Sequence, residues 1–325
     1  MVRHDLPEER PWPYPELIEQ RMDWAIKNYY HNMENMAWLD DDNIPYLAPY
    51  TGTEIFAEAF GAKVHCPGDN MPFALPAIYN VEEIGKLKQP KVENSSLYIL
   101  FEMARKLIQR AGGNPLLMMP DIQSPVDIAA LVMEKSQFLI AMVDEPSAIK
   151  QLVAMTEELL TEFLDLWFSE FGTKYIAHCP WYYMEGGFTF SEDEVGAFDA
   201  RFFEEFCLEP INRMSDRFGG CSMHCCANAR HQWDNFKKIH GLRLLNLVQP
   251  KPVLEEAGRF FGAEVCHWHS FIQYDGDALG YSQWALGYPP QVHVVLEAPA
   301  DTKEKAIEYC HKLREIGERR KKACI

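Results

Sequence analysis

The chain has 325 residues, about 47% of them hydrophobic, and a formal net charge of −17. This length and apolar content suffice for one large core. The acidic surplus argues against nucleic acid and anionic membranes as partners, because phosphate-binding surfaces are basic. We find neither a signal peptide nor an apolar run long enough to span a membrane, and the nine cysteines are an odd number. These features predict a cytoplasmic protein whose cysteines are free thiols.

The first part of the chain, residues 1–40, predicts a helical arm, and residues 41–325 predict a single domain. Proline near the start and acidic residues in the first turn predict a helix over residues 15–39. Residues 44–50 predict the first strand, and residues 51–61 predict a short helix. No change of composition in the middle of the chain marks a second domain.

From residue 95 onwards, helices and strands alternate. Amphipathic helices that end at glycine are followed by short apolar runs, which predict strands. The predicted helices lie at 95–113, 126–141, 144–172, 191–219, 229–241, 252–262 and 302–323, and the predicted strands at 114–119, 174–183, 220–226, 242–249, 263–271 and 291–299.

This alternation favours an α/β fold, namely a (β/α)8 TIM barrel with an N-terminal helical arm. A doubly wound open sheet is the alternative. We find no G-x-G-x-x-G turn after a strand and no Walker-type phosphate loop, which argues against the nucleotide-binding form of that alternative. In a (β/α)8 barrel the reactive side chains lie at the carboxyl ends of the strands, so those positions carry the candidate site.

One predicted strand ends in two metal-binding residue types. His224 and Cys226 are two residues apart, and alternate residues of a strand point to the same face. An imidazole and a thiolate would therefore project together, and they are two of the four ligands of a tetrahedral zinc. Cys225 points to the opposite face, where it is expected to pack in the core.

The other strand ends carry polar and aromatic residues. Each of these residues, taken singly, packs in a core more often than it functions. Together they predict a pocket, because they gather where a barrel site lies. The acid–base candidates are His178, Asp121, His267 and His269, and the candidates for substrate contact are Trp181, Tyr182, Tyr183, Glu185, Asn246, Gln249 and Trp268.

Four segments of the chain resemble the uroporphyrinogen decarboxylase superfamily, and the resemblance extends over nearly the whole length. It implies a (β/α)8 barrel with its site at the C-terminal mouth. The superfamily contains metal-free decarboxylases of porphyrinogens and zinc-dependent methyltransferases that use a corrinoid on a partner protein. The segments are TEIFAEAFGAKVHCPGDNMPFALPAIYNVEEIGKLKQP (53–90), GGNPLLMMPDIQSPVDIAALVM (112–133), FDARFFEEFCLEPINRM (198–214) and GGCSMHCCANA (219–229).

The methyltransferase branch is marked by H-x-C-G-N and a distant final cysteine. Residues 224–228 match this motif with Ala227 at the glycine position, and Cys324 falls close to the place of the final cysteine. The resemblance therefore implies His224, Cys226 and Cys324 as zinc ligands, with Cys266 or Glu185 as alternatives for the third. The arginine-rich N-terminal signature and the F-S-D-I-like segment of the decarboxylases are not found near the first strand.

The resemblance implies a zinc-dependent methyltransferase that moves a methyl group between a small substrate and a corrinoid. The substrate would be a thiol, a methoxylated aromatic or a methylamine. The chain has no D-x-H-x-x-G segment, so the corrinoid is expected on a separate protein. By analogy with this family, we also expect the protein to form a homodimer. The alternatives are a decarboxylase-like lyase without metal and a non-catalytic barrel.

Overall fold

A computed structural model describes residues 1–271 and 284–323 of the chain. Helices and strands alternate along it, as expected for an α/β fold. The helices are α1 (Ile18–Asn35), α2 (Glu54–Ala59), α3 (Tyr98–Ala111), α4 (Pro125–Val132), α5 (Lys135–Asp144), α6 (Pro146–Phe171), α7 (Ala200–Phe202), α8 (Leu208–Phe218), α9 (Trp233–Phe236), α10 (Lys251–Phe261) and α11 (Lys303–Ala323). The strands are β1 (Val2–Arg3), β2 (Tyr46–Leu47), β3 (Lys63–His65), β4 (Phe73–Leu75), β5 (Leu116–Leu117), β6 (Lys174–Ile176), β7 (Tyr183–Glu185), β8 (Phe188–Ser191), β9 (Cys221–Cys225), β10 (Leu242–Gln249), β11 (Cys266–His267), β12 (Ser270–Phe271) and β13 (Ala298–Pro299).

Local sequence signals set several helix ends. The Ser124 side chain caps α4 by accepting the backbone N–H of Asp127 at 3.0 Å, and Pro125 occupies the first helical position. Helix α6 begins with Pro146 and ends before Gly172, which has a φ of 81°. These are the positions at which proline and glycine are expected around a helix.

The sheet that positions the site consists of parallel strands in the order β8, β9, β10 and β11. In its register, Ser191 lies opposite His224, and His224 lies opposite Asn246. These three side chains therefore form a row across neighbouring strands. The row lies near the carboxyl ends of β8 and β9, where the barrel prediction places reactive residues.

The expected closed barrel is not confirmed in the described residues. Parallel bridges join β2 to β5, Met118 to Ile176 and His267 to Val294, so the strand order continues around the sheet. Between residues 43–46 and 294–297, however, lies a cavity of about 1130 Å³ that both segments line. The strand β1 pairs with β13, and its surroundings contact both segments: the amine of Met1 donates to the carbonyl oxygen of Leu296 at 2.8 Å, and Nδ2 of Asn43 donates to that of Val2 at 2.7 Å.

The segment 174–183, which we predicted as one strand, contributes to two strands, β6 and β7. The chain reverses after β6, and β7 pairs with it in antiparallel register, with Ile176 opposite Tyr183. The following strand β8 was not predicted, because we assigned residues from 191 onwards to a helix. That segment first forms a single 3-10 turn at Glu194–Gly196, and the α-helix begins at Ala200.

The N-terminal arm packs closely on the rest of the chain. Helix α1 contacts α3, and the buried Arg21 donates a hydrogen bond to the carbonyl oxygen of Tyr50. The main core includes the rings of Phe101, Phe163 and Trp167, whose centroids lie 5.3–5.7 Å apart. None of the helices in the described parts of the chain is long and apolar enough to cross a membrane.

His267 and His269 belong to the buried core between β10 and α10. The N–H of Leu247 donates to Nδ1 of His269 at 3.0 Å, which leaves the proton of His269 on Nε2. That Nε2 lies 2.9 Å from Nδ1 of His267, and Nε2 of His267 lies 3.2 Å from the carbonyl oxygen of Gly262. Both rings are thus neutral Nε2–H tautomers. Burial lowers the pKa of His267 to about 4 and that of His269 well below its ordinary value.

A substitution at Gly187 should weaken the start of the sheet that carries the site. Gly187 has a φ of 77°, and a Cβ there would lie 2.7 Å from the carbonyl oxygen of Gly220. We expect Gly187→Ala to lower the free energy of unfolding by about 2 kcal/mol, measured by denaturant unfolding. The matched control is Gly317→Ala in α11, where a Cβ meets nothing within 4 Å. Equal stability of Gly187→Ala and the natural chain would contradict the close approach.

The histidine pair should stay neutral in mild acid. We expect ¹⁵N NMR to show the Nε2–H tautomer for His267 and His269 at pH 7 and still at pH 5, with a histidine in an unstructured peptide as the titrating reference. Because the unfolded chain binds these protons below about pH 6.5, the pair's contribution to stability is complete above that pH. It is lost as the pH falls towards 4. A protonated ring at pH 6 in the folded protein would contradict this assignment.

Candidate metal centre and neighbouring cavity

Three side chains meet at the carboxyl ends of β8 and β9. One ligand atom from each of Asp193, His224 and Cys226 lies within 4.8 Å of the other two. Asp193 and His224 are half-buried, and Cys226 is exposed. The structure therefore brings together the two predicted strand-end residues and adds a carboxylate from the segment that follows β8.

The loop that carries Asp193 is held by a buried carboxylate. Asp127, near the N-terminus of α4, accepts the backbone N–H groups of Asp193 at 2.7 Å and Glu194 at 3.0 Å. The backbone N–H of Cys226 in turn donates to Oδ1 of Asp193 at 2.6 Å. Charge-assisted hydrogen bonds of this kind hold a loop in one conformation. They fix the Asp193 carboxylate beside the end of β9.

Asp127 shares its buried position with Glu192. Both side chains are at most 1% exposed. Burial raises the pKa of Asp127 to about 7, and burial together with the neighbouring Asp127 charge raises the pKa of Glu192 well above its ordinary value. Both oxygens of Asp127 accept backbone N–H groups, so Asp127 is the ionised partner and the proton of the pair lies on Glu192. Asp127 remains the acceptor that the two backbone N–H groups of the loop require.

Asn246 orients the imidazole of His224. Its Nδ2 donates to the carbonyl oxygen of Trp268, so its Oδ1 is the acceptor that faces Nδ1 of His224. The proton of a neutral His224 then lies on Nδ1, and the lone pair on Nε2 is available to a metal. This amide–imidazole pair has the form of the outer hydrogen bonds that orient metal-binding histidines.

Two further residues contact the metal cluster. Gln249 is buried, and its Nε2 donates to the carbonyl oxygens of Cys226 at 3.2 Å and Ala227 at 2.8 Å. The sulfur of Cys179 lies 3.3 Å from Nδ1 of His224. Gln249 thereby holds the backbone that presents Cys226, and Cys179 brings a second thiol next to the imidazole.

The thiols of this region are protonated in the metal-free protein. Desolvation, and after it the neighbouring Asp193 carboxylate, raises the pKa of Cys226 to about 12. Desolvation, followed by the charge of Asp121, also raises the pKa of Cys179 to about 12. A bound metal cation acts in the opposite direction, because a coordinating thiol loses its proton.

His178 and Asp121 form a second polar group at the strand ends. Nδ1 of His178 lies 3.4 Å from Oδ1 of Asp121, and the His178 ring is stacked on that of Tyr50 with 6.5 Å between centroids. Nearby elements also contain buried polar atoms that have no hydrogen-bond partner. Such atoms are rare in native proteins unless water or a ligand supplies the partner. They include Oε2 of Glu54, Oε1 of Gln123 and Oγ of Ser222, and Nδ1 of His178, whose 3.4 Å contact with Asp121 lacks hydrogen-bond geometry.

The predicted aromatic residues line the cavity of about 1130 Å³ that lies at the gap in the sheet. Trp181, Tyr182, Tyr183 and Trp268 all contribute to its wall. The three metal-cluster residues do not line it, but Asn246 hydrogen-bonds both to His224 and to the main chain of Trp268. The cavity and the metal cluster are therefore neighbours joined through one side chain.

Several predicted site residues lie elsewhere. Glu185 lies opposite Lys174 at the amino end of β6, with 3.4 Å between Oε1 and the Lys174 Nζ. His267 and His269 are buried in the hydrogen-bonded chain described above, and Cys266 is not among the grouped ligands. Cys324 lies outside the described residues. We therefore leave the other four residues out of the site proposed below, and the prediction for Cys324 stays a prediction.

Asp193 was missed because strand β8 was missed. Residues 188–191 read Phe-Thr-Phe-Ser, an alternation of aromatic and hydroxyl residues that indicates a short strand. We read the spacing of Ser191 and Glu194 as a capping box, which placed the following acidic residues inside a helix. Recognition of β8 would have put Asp193 just beyond a strand end.

Comparisons with known proteins agree with this fold. A solved methyltransferase from Methanosarcina mazei superimposes with a TM-score of 0.66 at 12% sequence identity, covering 94% of this chain and 88% of that chain. Identity this low is informative about the fold alone. No curated protein matches the chain by sequence. The profile of the uroporphyrinogen decarboxylase (URO-D) family matches residues 15–257, three quarters of the length, and the chain belongs to this family.

Proposed function

We propose that this protein is a zinc-dependent methyltransferase that moves a methyl group between a small substrate and a corrinoid carried by a partner protein. The observation that carries the proposal is the convergence of Asp193, His224 and Cys226 within 4.8 Å at the strand ends. A carboxylate, an imidazole and a thiolate are all zinc ligands, and three protein ligands leave a fourth position open to substrate. In this proposal Asp193 replaces Cys324 as the third ligand.

The donor set fits zinc better than a hard cation such as magnesium. A thiolate and an imidazole select soft or borderline metals, whereas magnesium prefers an all-oxygen shell. When bound, zinc would act as a Lewis acid towards the sulfur, oxygen or nitrogen atom that gains or loses the methyl group. The chain's own contribution is to hold the three ligands and to manage protons around the substrate.

The surrounding residues have separate tasks in this proposal. Asn246 keeps the Nδ1–H tautomer of His224, and Asp127 holds the loop of Asp193 through two backbone N–H groups. The His178–Asp121 pair lies at neighbouring strand ends, and it would move the proton that the substrate heteroatom gains or loses. Cys226 is exposed, so the ligand cluster is open to a partner on that side.

The family and the structural neighbour support this reading without deciding the substrate. The neighbour is described as a methyltransferase, and it shares the fold over most of both chains. The proposal keeps three of the predictions made from the sequence, namely the (β/α)8 barrel, the homodimer and a reducing cytoplasmic setting. The eight cysteines in the described part of the chain are all free thiols, as that setting would require.

Metal analysis tests the ligand set. We expect the purified protein to hold about one zinc per chain. His224→Ala, Cys226→Ser and Asp193→Ala should each weaken zinc binding at least about 100-fold, because loss even of an outer partner costs 10–100-fold. Competition with a chromophoric chelator measures the affinity.

Two control variants make this test specific. Cys66→Ser removes a half-exposed thiol outside the cluster and should leave the affinity unchanged. Cys324→Ser separates the two candidates for the third ligand. If Cys324→Ser loses the metal and Asp193→Ala keeps it, the ligand set proposed here is wrong. A protein that binds no zinc would favour the metal-free lyase or the non-catalytic barrel.

Methyl transfer from methylcobalamin to a thiol, and from methoxyarenes or methylamines to cob(I)alamin, tests the reaction itself. We expect Asp121→Asn and His178→Gln to slow the transfer about 10²- to 10⁴-fold while zinc content stays unchanged, as is typical for loss of a proton-transfer group. Loss of zinc in either variant would assign the pair to metal binding. Full activity in both would remove it from the mechanism.

A further inference from the structure

The cavity at the gap in the sheet already holds a positive charge supplied by the chain itself. The guanidinium of Arg3, on strand β1, lies over the ring of Trp181 with 5.5 Å between its carbon and the ring centroid. Its Nε lies 2.7 Å from Oε1 of Glu297, and the side chain of Glu297 is 12% exposed. An aromatic face and a shielded carboxylate are the two elements that bind organic cations.

Trp181 and Glu297 form one side of a subsite in this cavity, and Trp268 forms a second, also aromatic, side. Nε1 of Trp268 donates to Oε2 of Glu297 at 2.9 Å, so the indole and the guanidinium contact the same carboxylate. The Tyr182 ring lies 6.2 Å from that of Trp268. Glu297 is therefore held in place from two sides and faces a wall of π-systems.

The charge of the cavity favours a cationic ligand over an anionic one. Five carboxylates line the cavity against three arginines and the N-terminal ammonium of Met1. Of these arginines, Arg314 is paired with Asp40, and Arg10 lies 3.6 Å above the centre of the Tyr50 ring. The volume of about 1130 Å³ is far larger than the space that one guanidinium fills.

We propose that this cavity binds a methylated ammonium cation between Trp181, Trp268 and Glu297, and that the Arg3 guanidinium occupies the same subsite in the free protein. A methylated ammonium is weakly hydrated and spreads its charge over its methyl groups, so aromatic faces recognise it well. Its use as a methyl donor rests on the proposed function, whereas its binding does not. Asn246 hydrogen-bonds to His224 and to the main chain of Trp268, so one side chain connects this subsite to the metal cluster.

Binding of choline to the full chain tests the proposal, with the uncharged isostere 3,3-dimethylbutan-1-ol as the matched probe. Both are titrated by calorimetry and by tryptophan fluorescence. We expect choline to bind at least about tenfold more tightly than the isostere, because the cation adds attraction to the rings and to Glu297. Glu297→Gln should remove that difference. Equal affinity of the two probes for the natural chain, or no choline binding to either the natural chain or Arg3→Ala, would overturn the proposal.

The Arg3→Ala variant tests whether the Arg3 guanidinium competes with the ligand for the subsite or only stabilises the fold. Removal of the competing guanidinium should strengthen choline binding several-fold, whereas loss of a structural contact would weaken it. Arg3→Gln, which keeps the length and loses the charge, should act in the same direction if the alanine variant does not fold. Arg314→Ala is the control, since Arg314 lines the same cavity and pairs with Asp40. Weaker choline binding in a folded Arg3 variant would overturn the proposal.

The same titration in His224→Ala keeps the two hypotheses apart. Choline should bind to His224→Ala as it does to the natural chain, because His224 does not line the cavity. If the natural chain neither binds zinc nor transfers a methyl group but still binds choline, the proposed function is wrong and the cation site stands. If a thiol is methylated and choline does not bind, the proposed function stands and the cation site is wrong.

Discussion

The parallel register of β8, β9 and β10 is the constraint on which the candidate site depends. It places Ser191, His224 and Asn246 in one row, so that the amide of Asn246 reaches the imidazole of His224. A register slip of one residue would turn His224 to the other face of the sheet. The close approach of Gly187 to Gly220 at the start of the strands belongs to the same constraint, because a side chain there would separate them.

Buried polar groups hold the site in place. Their desolvation costs free energy, which other interactions of the fold have to offset. Asp127 and Glu192 lie side by side in the core, and Asp127 holds the loop of Asp193 by accepting two of its backbone N–H groups. Two carboxylates are expensive to bury, and sharing one proton between them reduces that cost. By contrast, the buried His267–His269 chain supports the core behind the sheet, where both rings are neutral and hydrogen-bonded.

The gap in the strand ring gives the molecule a second feature that a closed barrel would not have. Residues 43–46 and 294–297 both line a large cavity, which the N-terminal arm and the last helix line as well. The aromatic residues that we predicted for substrate contact lie on the wall of this cavity. The arm thereby becomes part of a binding surface, because Arg3 reaches the carboxylate of Glu297.

The sequence by itself determined the α/β alternation, most helix ends and the pairing of His224 with Cys226, because these follow from periodicities and capping residues within a short stretch of chain. It failed at β8, where four residues carry too little pattern to outweigh a capping-box spacing, and Asp193 was lost with that strand. The tertiary structure alone decided which distant residues meet. Asp193 lies 31 positions before His224, and Arg3 lies nearly the whole chain away from Glu297. Strand register and the opening of the ring set those distances, and no local pattern of residue types encodes them.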